Sequence, residues 1–201
     1  VKGLNNTKIE NSLKKLTGQA NEIIDDTFKG YSDVREEALH SAERKNKEFL
    51  SVLKQLYRQI NESKDISRDE YASIYSILGN MQKLKFDHDK LINYTRLKNI
   101  NSVIFPRSAA AEVEDLFQGT RAIYSYMGEL LLVKSPFLLR QVFRQINKYE
   151  LVCCRFAIEH ERRIVQGICP LKACCIYVHI VETFEDIFWH QQAIVKELGN
   201  I

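Results

Sequence analysis

Four residues near the C-terminus have the types and the spacing to ligate a metal ion. His179, Glu182, Asp186 and His190 recur at steps of three and four, so on a helix they form one stripe. Such a row of carboxylates and imidazoles can present ligands to a metal held between helices. The competing reading is a solvated polar flank with contacts between residues four apart, which every amphipathic helix carries.

The five cysteines raise a second metal reading, zinc, with His160 and His179 as further ligands. Their spacing argues against it. Cys153–Cys154 and Cys174–Cys175 are adjacent pairs, whose members diverge by about 100° on a helix, and four residues separate Cys169 from Cys174. The spacing favours cysteines that act as small buried apolar residues. An odd number without framework spacing also argues against a secreted disulfide scaffold and for a reduced, cytosolic setting.

Enzyme signatures are sparse. The Glu-x-x-His element of di-iron bundles matches once, at Glu37–His40, where two copies are needed. A Gly-rich phosphate loop, a G-x-S-x-G elbow and an H-E-x-x-H run are all absent from the sequence. The expectation is a protein that is not an enzyme.

The elements that must carry these residues are helices. Ile9, Leu13, Leu16, Ala20, Ile23, Ile24 and Phe28 make one stripe that runs to Gly30. A second helix is expected near Ser32–Asp33, where Asp33 and Glu36 have capping-box spacing, and the polar stretch Asn61–Asp65 ends it. Ser67 and Glu70 cap a third helix that carries Ile74, Ile77, Leu78, Met81, Leu84 and Leu91. After a break around Pro106, a fourth carries Val113, Leu116, Phe117, Ile123, Tyr124, Met127 and Leu131. Ser135–Pro136 reads as an N-cap with Pro at the first helical position, and Gly167 stops that fifth helix. Pro170 opens a sixth, whose residues Tyr177, Ile180, Val181, Phe184, Ile187, Gln191 and Ile194 face one way. All three prolines fall at expected helix boundaries.

Composition agrees with long helices. Of 201 residues, 45% are apolar and the net charge is only +3, which excludes a disordered chain. No charge-free apolar run approaches the ~18 residues of a membrane span. The 29 basic residues are interleaved with 26 acidic ones, so no nucleic-acid footprint stands out. The start at Val1 is compatible with a piece of a larger protein.

Six helices in two groups of three suggest an internal repeat. Sliding the third helix onto the sixth by 103 positions matches Ile77 with Ile180, Leu78 with Val181, Met81 with Phe184, Leu84 with Ile187, Leu91 with Ile194 and Ile92 with Val195. It also matches Phe86 with Trp189. The expected architecture is all-α, two tandem antiparallel three-helix bundles over residues 1–100 and 106–201.

The run His160-Glu-Arg-Arg-Ile-Val-Gln-Gly-Ile-Cys-Pro170, followed by Val181-Glu-Thr-Phe-Glu-Asp186, resembles PhoU-type phosphate-uptake regulators. The resemblance is best over residues 109–198 and extends to the whole chain through the two-times-three helix plan. In that family a Glu/Asp-x-x-x-Asp pattern can hold iron, zinc or nickel. Glu182 and Asp186 match it, with His179 and His190 beside them. Glu22 with Asp26, and Asp33 with Glu37, have similar spacing. In the aligned first repeat Gly79 and Lys83 replace the two carboxylates, so a site there is read as lost.

The resemblance implies a non-enzymatic regulatory protein or domain of phosphate transport at the cytoplasmic face of the inner membrane, peripheral or fused to it. Its partner would be a phosphate transporter, the membrane domain of a sodium/phosphate cotransporter, or a sensor protein, with a homodimer as a further expectation and no nucleic acid. Two rival classes are a metal-dependent carboxylate-bundle enzyme using the same four residues, and a helical adaptor with no link to phosphate.

Overall fold

A computed structural model describes residues 7–63 and 66–200. Six helices follow in order: α1 (Thr7–Ser32), α2 (Glu36–Glu62), α3 (Arg68–Ile100), α4 (Arg107–Val133), α5 (Pro136–Val165) and α6 (Leu171–Asn200). No strand occurs among the described residues. Helices of 26 to 33 residues are too long to be held by propensity alone; each buries one or more apolar stripes along its length.

The caps follow the sequence at most ends. Ser67 and Glu70 form a reciprocal capping box, with the Ser67 amide donating to Glu70 Oε2 at 3.1 Å. Ser135 Oγ accepts the Leu138 amide ahead of Pro136. Gly167, at φ +69°, ends α5 in a Schellman turn: its amide bonds to Ile164 O, and that of Ile168 to Arg163 O, both at 3.0 Å. The start of α2 differs from expectation. It begins at Glu36 after Arg35, and no side chain caps it. Asp33 instead pairs with Arg35 at 3.0 Å, because Val34 takes a left-handed φ of 56° and swings the chain out of register for a cap. Helix α2 ends at Glu62; Lys64 and Asp65, the rest of the polar stretch expected there, lie outside the described residues.

Helices α1, α2 and α3 pack on one another, as do α4, α5 and α6. Two seams join the groups, α3 against α6 and α1 against α4, and the first is the most extensive helix contact of the molecule. Through them one apolar cluster runs across all six helices. An aromatic file marks its path: Phe117 of α4 packs on Phe28 of α1 (5.3 Å) and edge-on against Phe184 of α6 (4.9 Å), and Phe188 stacks on Tyr149 of α5 (5.3 Å).

Positions matched by the 103-residue offset share their burial. Ile77 and Ile180, Leu84 and Ile187, and Leu91 and Ile194 are all buried, while Phe86 and Trp189 are both half exposed. The agreement extends to a polar pair. His88 and Gln191 are each fully buried in the α3–α6 seam, and His88 Nε2 lies 3.0 Å from the Tyr124 hydroxyl.

Candidate functional site

The expected ligand stripe lies on α6 along its seam with α3, and α3 supplies its partners. His179 is half exposed, stacks on Tyr94 (4.8 Å, 11° between planes), and approaches Glu182 at 3.4 Å. Asp186 receives the Lys90 ammonium at 3.0 Å, and the same ammonium reaches the buried Asp87 at 2.9 Å. His190 turns inward, with Nδ1 3.1 Å from Asn80 Oδ1 and Nε2 3.5 Å from Asp87 Oδ2.

Burial, with Lys83 adding to it, holds the His190 imidazole down to about 4, and burial pushes the Asp87 carboxyl up. Although Nε2 and Oδ2 are within ion-pair distance, His190 is therefore neutral near pH 7. A neutral ring carries one N–H, and two oxygen acceptors face it.

No three of these four residues bring their ligand atoms within 4.8 Å of one another. Among the described residues, the one group of three or more His, Cys, Asp or Glu side chains whose ligand atoms lie within 4.8 Å of one another is elsewhere. A lysine already provides the positive charge that a cation on Asp186 would bring. Helix α1 repeats the theme, because Lys45 pairs with both Glu22 (3.1 Å) and Asp26 (2.8 Å). Both carboxylate-rich surfaces are ion-paired flanks.

The converging group is His160, Cys169 and Cys174. His160 projects from the last turns of α5, Cys169 sits in the Schellman-turned connection, and Cys174 lies in the first turn of α6. His160 is 2% exposed and neither ring nitrogen has a hydrogen-bond partner. Tyr177 stacks on it at 4.6 Å. Arg163 braces the same corner with a bidentate pair to Glu112 (2.8 and 2.7 Å), and the Tyr177 hydroxyl donates to Glu112 too. Burial pushes the Cys169 thiol up to about 12. Cys154 and Cys175 are exposed, unlike the buried role expected of the cysteines. His160 and the cysteines were zinc candidates by residue type, and helical spacing argued against them because the turn at Gly167, rather than a helical repeat, brings Cys169 back beside α5.

One end of the molecule is apolar on the outside. Lys98 Nζ reaches Tyr31 O, and Tyr31 packs on Phe105, which meets Tyr177 edge-on at 5.8 Å. These contacts bring the ends of α1 and α3, the α3–α4 connection and the α5–α6 turn together. The exposed side chains there are Val34, Ile100, Ile104 (86%), Val165 (87%), Ile168 and Leu171 (81%). A cleft of about 410 Å³ opens between Tyr31, Val34, Lys98 and Ile104.

No family model matches the sequence, and no curated protein matches it. Among solved structures, PhoU from Pseudomonas aeruginosa superposes with a TM-score of 0.84 at 10% identity, over 95% of this chain and 93% of that one. The chain has the PhoU-like, all-α fold that its helix plan implied.

Proposed function

We propose that this chain is a non-enzymatic regulator of phosphate transport that acts by docking its apolar end on a membrane-embedded partner. The observation that carries the reading is the exposure of Ile100, Ile104, Val165, Ile168 and Leu171, all at the helix ends and connections of one end of the molecule. Large apolar side chains left exposed together at one end of a molecule are what an interaction site presents. No helix among the described residues is long and apolar enough to cross a membrane.

The likeness of fold to PhoU supports the phosphate-transport half of the reading. The partner would be a phosphate transporter or its membrane domain, or a sensor protein beside it, met from the cytoplasmic side. The near-balanced surface charge suits a protein partner better than a nucleic acid. The proposed mechanism does not depend on a metal; Asp186 pairs with Lys90, and Glu182 lies 3.4 Å from His179.

The test is binding to a phosphate transporter held in nanodiscs, measured for the wild type and for the triple variant I104D/V165D/L171D. Wild-type binding that weakens at least about tenfold in the variant is expected. A Leu151→Asp control, at an exposed site on the middle of α5, leaves binding unchanged. Equal wild-type binding to empty nanodiscs, or equal binding by the triple variant, overturns the reading.

A further inference from the structure

We infer that His160, Cys169 and Cys174 form a three-ligand site for a zinc-class divalent ion at the α5–α6 corner. Their ligand atoms already lie within 4.8 Å of one another, on three different stretches of backbone. Around one tetrahedral ion with bonds of ~2.0–2.3 Å, such atoms sit about 3.4–3.8 Å apart, so small side-chain rotations close the site. His160 is the independent pointer. It is 98% buried by its 2% exposure, and both of its nitrogens lack a partner although the group cannot avoid carrying a lone pair and an N–H. A metal on one of them supplies the missing contact.

The charges select the ion. Two thiolates and a neutral imidazole carry a charge of about −2, which a divalent cation cancels and a monovalent one does not. The neighbouring Arg163 adds no net charge, because Glu112 already neutralises it. Nitrogen and sulfur ligands favour zinc over calcium or magnesium. Three protein ligands leave a fourth position for water, and Cys169 is only partly buried.

Each sulfur faces a carbonyl oxygen, Cys174 Sγ at 3.4 Å from that of Cys169 and Cys169 Sγ at 3.8 Å from that of Pro170, as an S–H donor would. Binding therefore forms two metal–sulfur bonds and one metal–nitrogen bond, and releases both S–H protons to solvent. No electron changes hands. The metal would tie the end of α5 to the start of α6 beside the apolar end of the molecule.

The test is titration of the reduced full chain with Co²⁺, a spectroscopic stand-in for zinc, followed by Zn²⁺ displacement. A thiolate-to-cobalt charge-transfer band saturating at about one equivalent, bleached by Zn²⁺ with release of about two protons, is expected. Cys169→Ser and Cys174→Ala each remove or weaken the band and lower affinity at least about tenfold, and His160→Gln alters the tetrahedral d–d bands. Cys154→Ser with Cys175→Ser, and Glu182→Ala with Asp186→Ala, leave the spectrum unchanged. Absence of the band in the wild type overturns the proposal, whatever the variants do. So does loss of the band in the Cys154/Cys175 control, or uptake of Cu⁺ with none of Co²⁺ or Zn²⁺. Helical circular dichroism on every variant separates a lost ligand from a lost fold.

Discussion

Asp87 and His190 stand at the same position of α3 and α6 under the 103-residue offset, and they meet across the seam with Oδ2 3.5 Å from Nε2. Residues matched by that offset can touch in this way only where α3 and α6 also pack on each other, as they do. Here that contact joins the two three-helix groups, and its chemistry is asymmetric. The α3 side presents a carboxylate held by Lys90, and the α6 side a neutral imidazole held by Asn80.

Removing either member should therefore loosen the seam. Asp87→Ala is expected to lower stability by roughly 1–3 kcal/mol, since it strips the Lys90 ammonium of its nearer partner and empties a buried site. A double-mutant cycle of Asp87→Asn with His190→Gln should give a coupling of about 0.5–1 kcal/mol in urea unfolding. Strict additivity would mean that the 3.5 Å contact contributes nothing.

Acid should weaken the fold well above the carboxylate range. Burial holds His88 down to about 3, so between that value and about 6.5 the unfolded chain binds a proton that the folded chain refuses. Stability from this group is complete above about 6.5 and declines as the pH falls; by pH 5 about 2 kcal/mol is gone. Burial acts the same way on His190. Replacing His88 by Gln should flatten the slope of unfolding free energy between pH 7 and 5, as read by denaturant titration at each pH.

Much of the α4–α5–α6 corner hangs on one ion pair. Arg163 and Glu112 are almost fully buried, and the Tyr177 hydroxyl shares the carboxylate. Arg163→Met leaves Glu112 charged and enclosed, with an expected loss of roughly 3 kcal/mol in chemical unfolding. Replacing both members with apolar residues should recover most of that loss. A double variant as unstable as the single would show that Arg163 acts by packing.

Two glycines should respond in opposite directions to the same substitution. A methyl group on Gly119 would lie 2.2 Å from Tyr149, whose hydroxyl bonds to Asp115 at 3.2 Å and whose ring stacks on Phe188. Gly119→Ala is expected to cost about 2 kcal/mol despite the better helix propensity. A methyl group on Gly79 would meet nothing within 4 Å beyond its own stretch of helix backbone, so Gly79→Ala should gain up to about 1 kcal/mol. Thermal unfolding of the two variants checks both signs at once.

Local rules made the fold legible. Ser67, Ser135, Gly167 and the three prolines mark helix ends by what their own atoms can accept, donate or forbid, and no distant residue is needed to read them. The start of α2 was misread where the rule was weakest, at Asp33, because the left-handed turn at Val34 leaves no trace in a capping pattern. The stripe of Tyr177, Ile180, Val181, Phe184 and Ile187 faced the core as its period required.

Sites were less legible, because a ligand set is defined by what lies opposite. His179, Glu182, Asp186 and His190 share one helix flank, yet only the fold shows that Tyr94 stacks on His179, Lys90 pairs with Asp186, and Asn80 and Asp87 face His190. His160, Cys169 and Cys174 look unrelated at spacings of nine and five, yet the turn at Gly167 places them in one corner.

By itself, then, the sequence determined six helices, their ends and their inward faces, since backbone hydrogen bonding and hydrophobic period act over a few residues. The tertiary structure decided which polar groups lose water and which charges meet. Burial and Coulomb attraction depend on distance through space, and α3 and α6 bring residues about a hundred positions apart to within 4 Å.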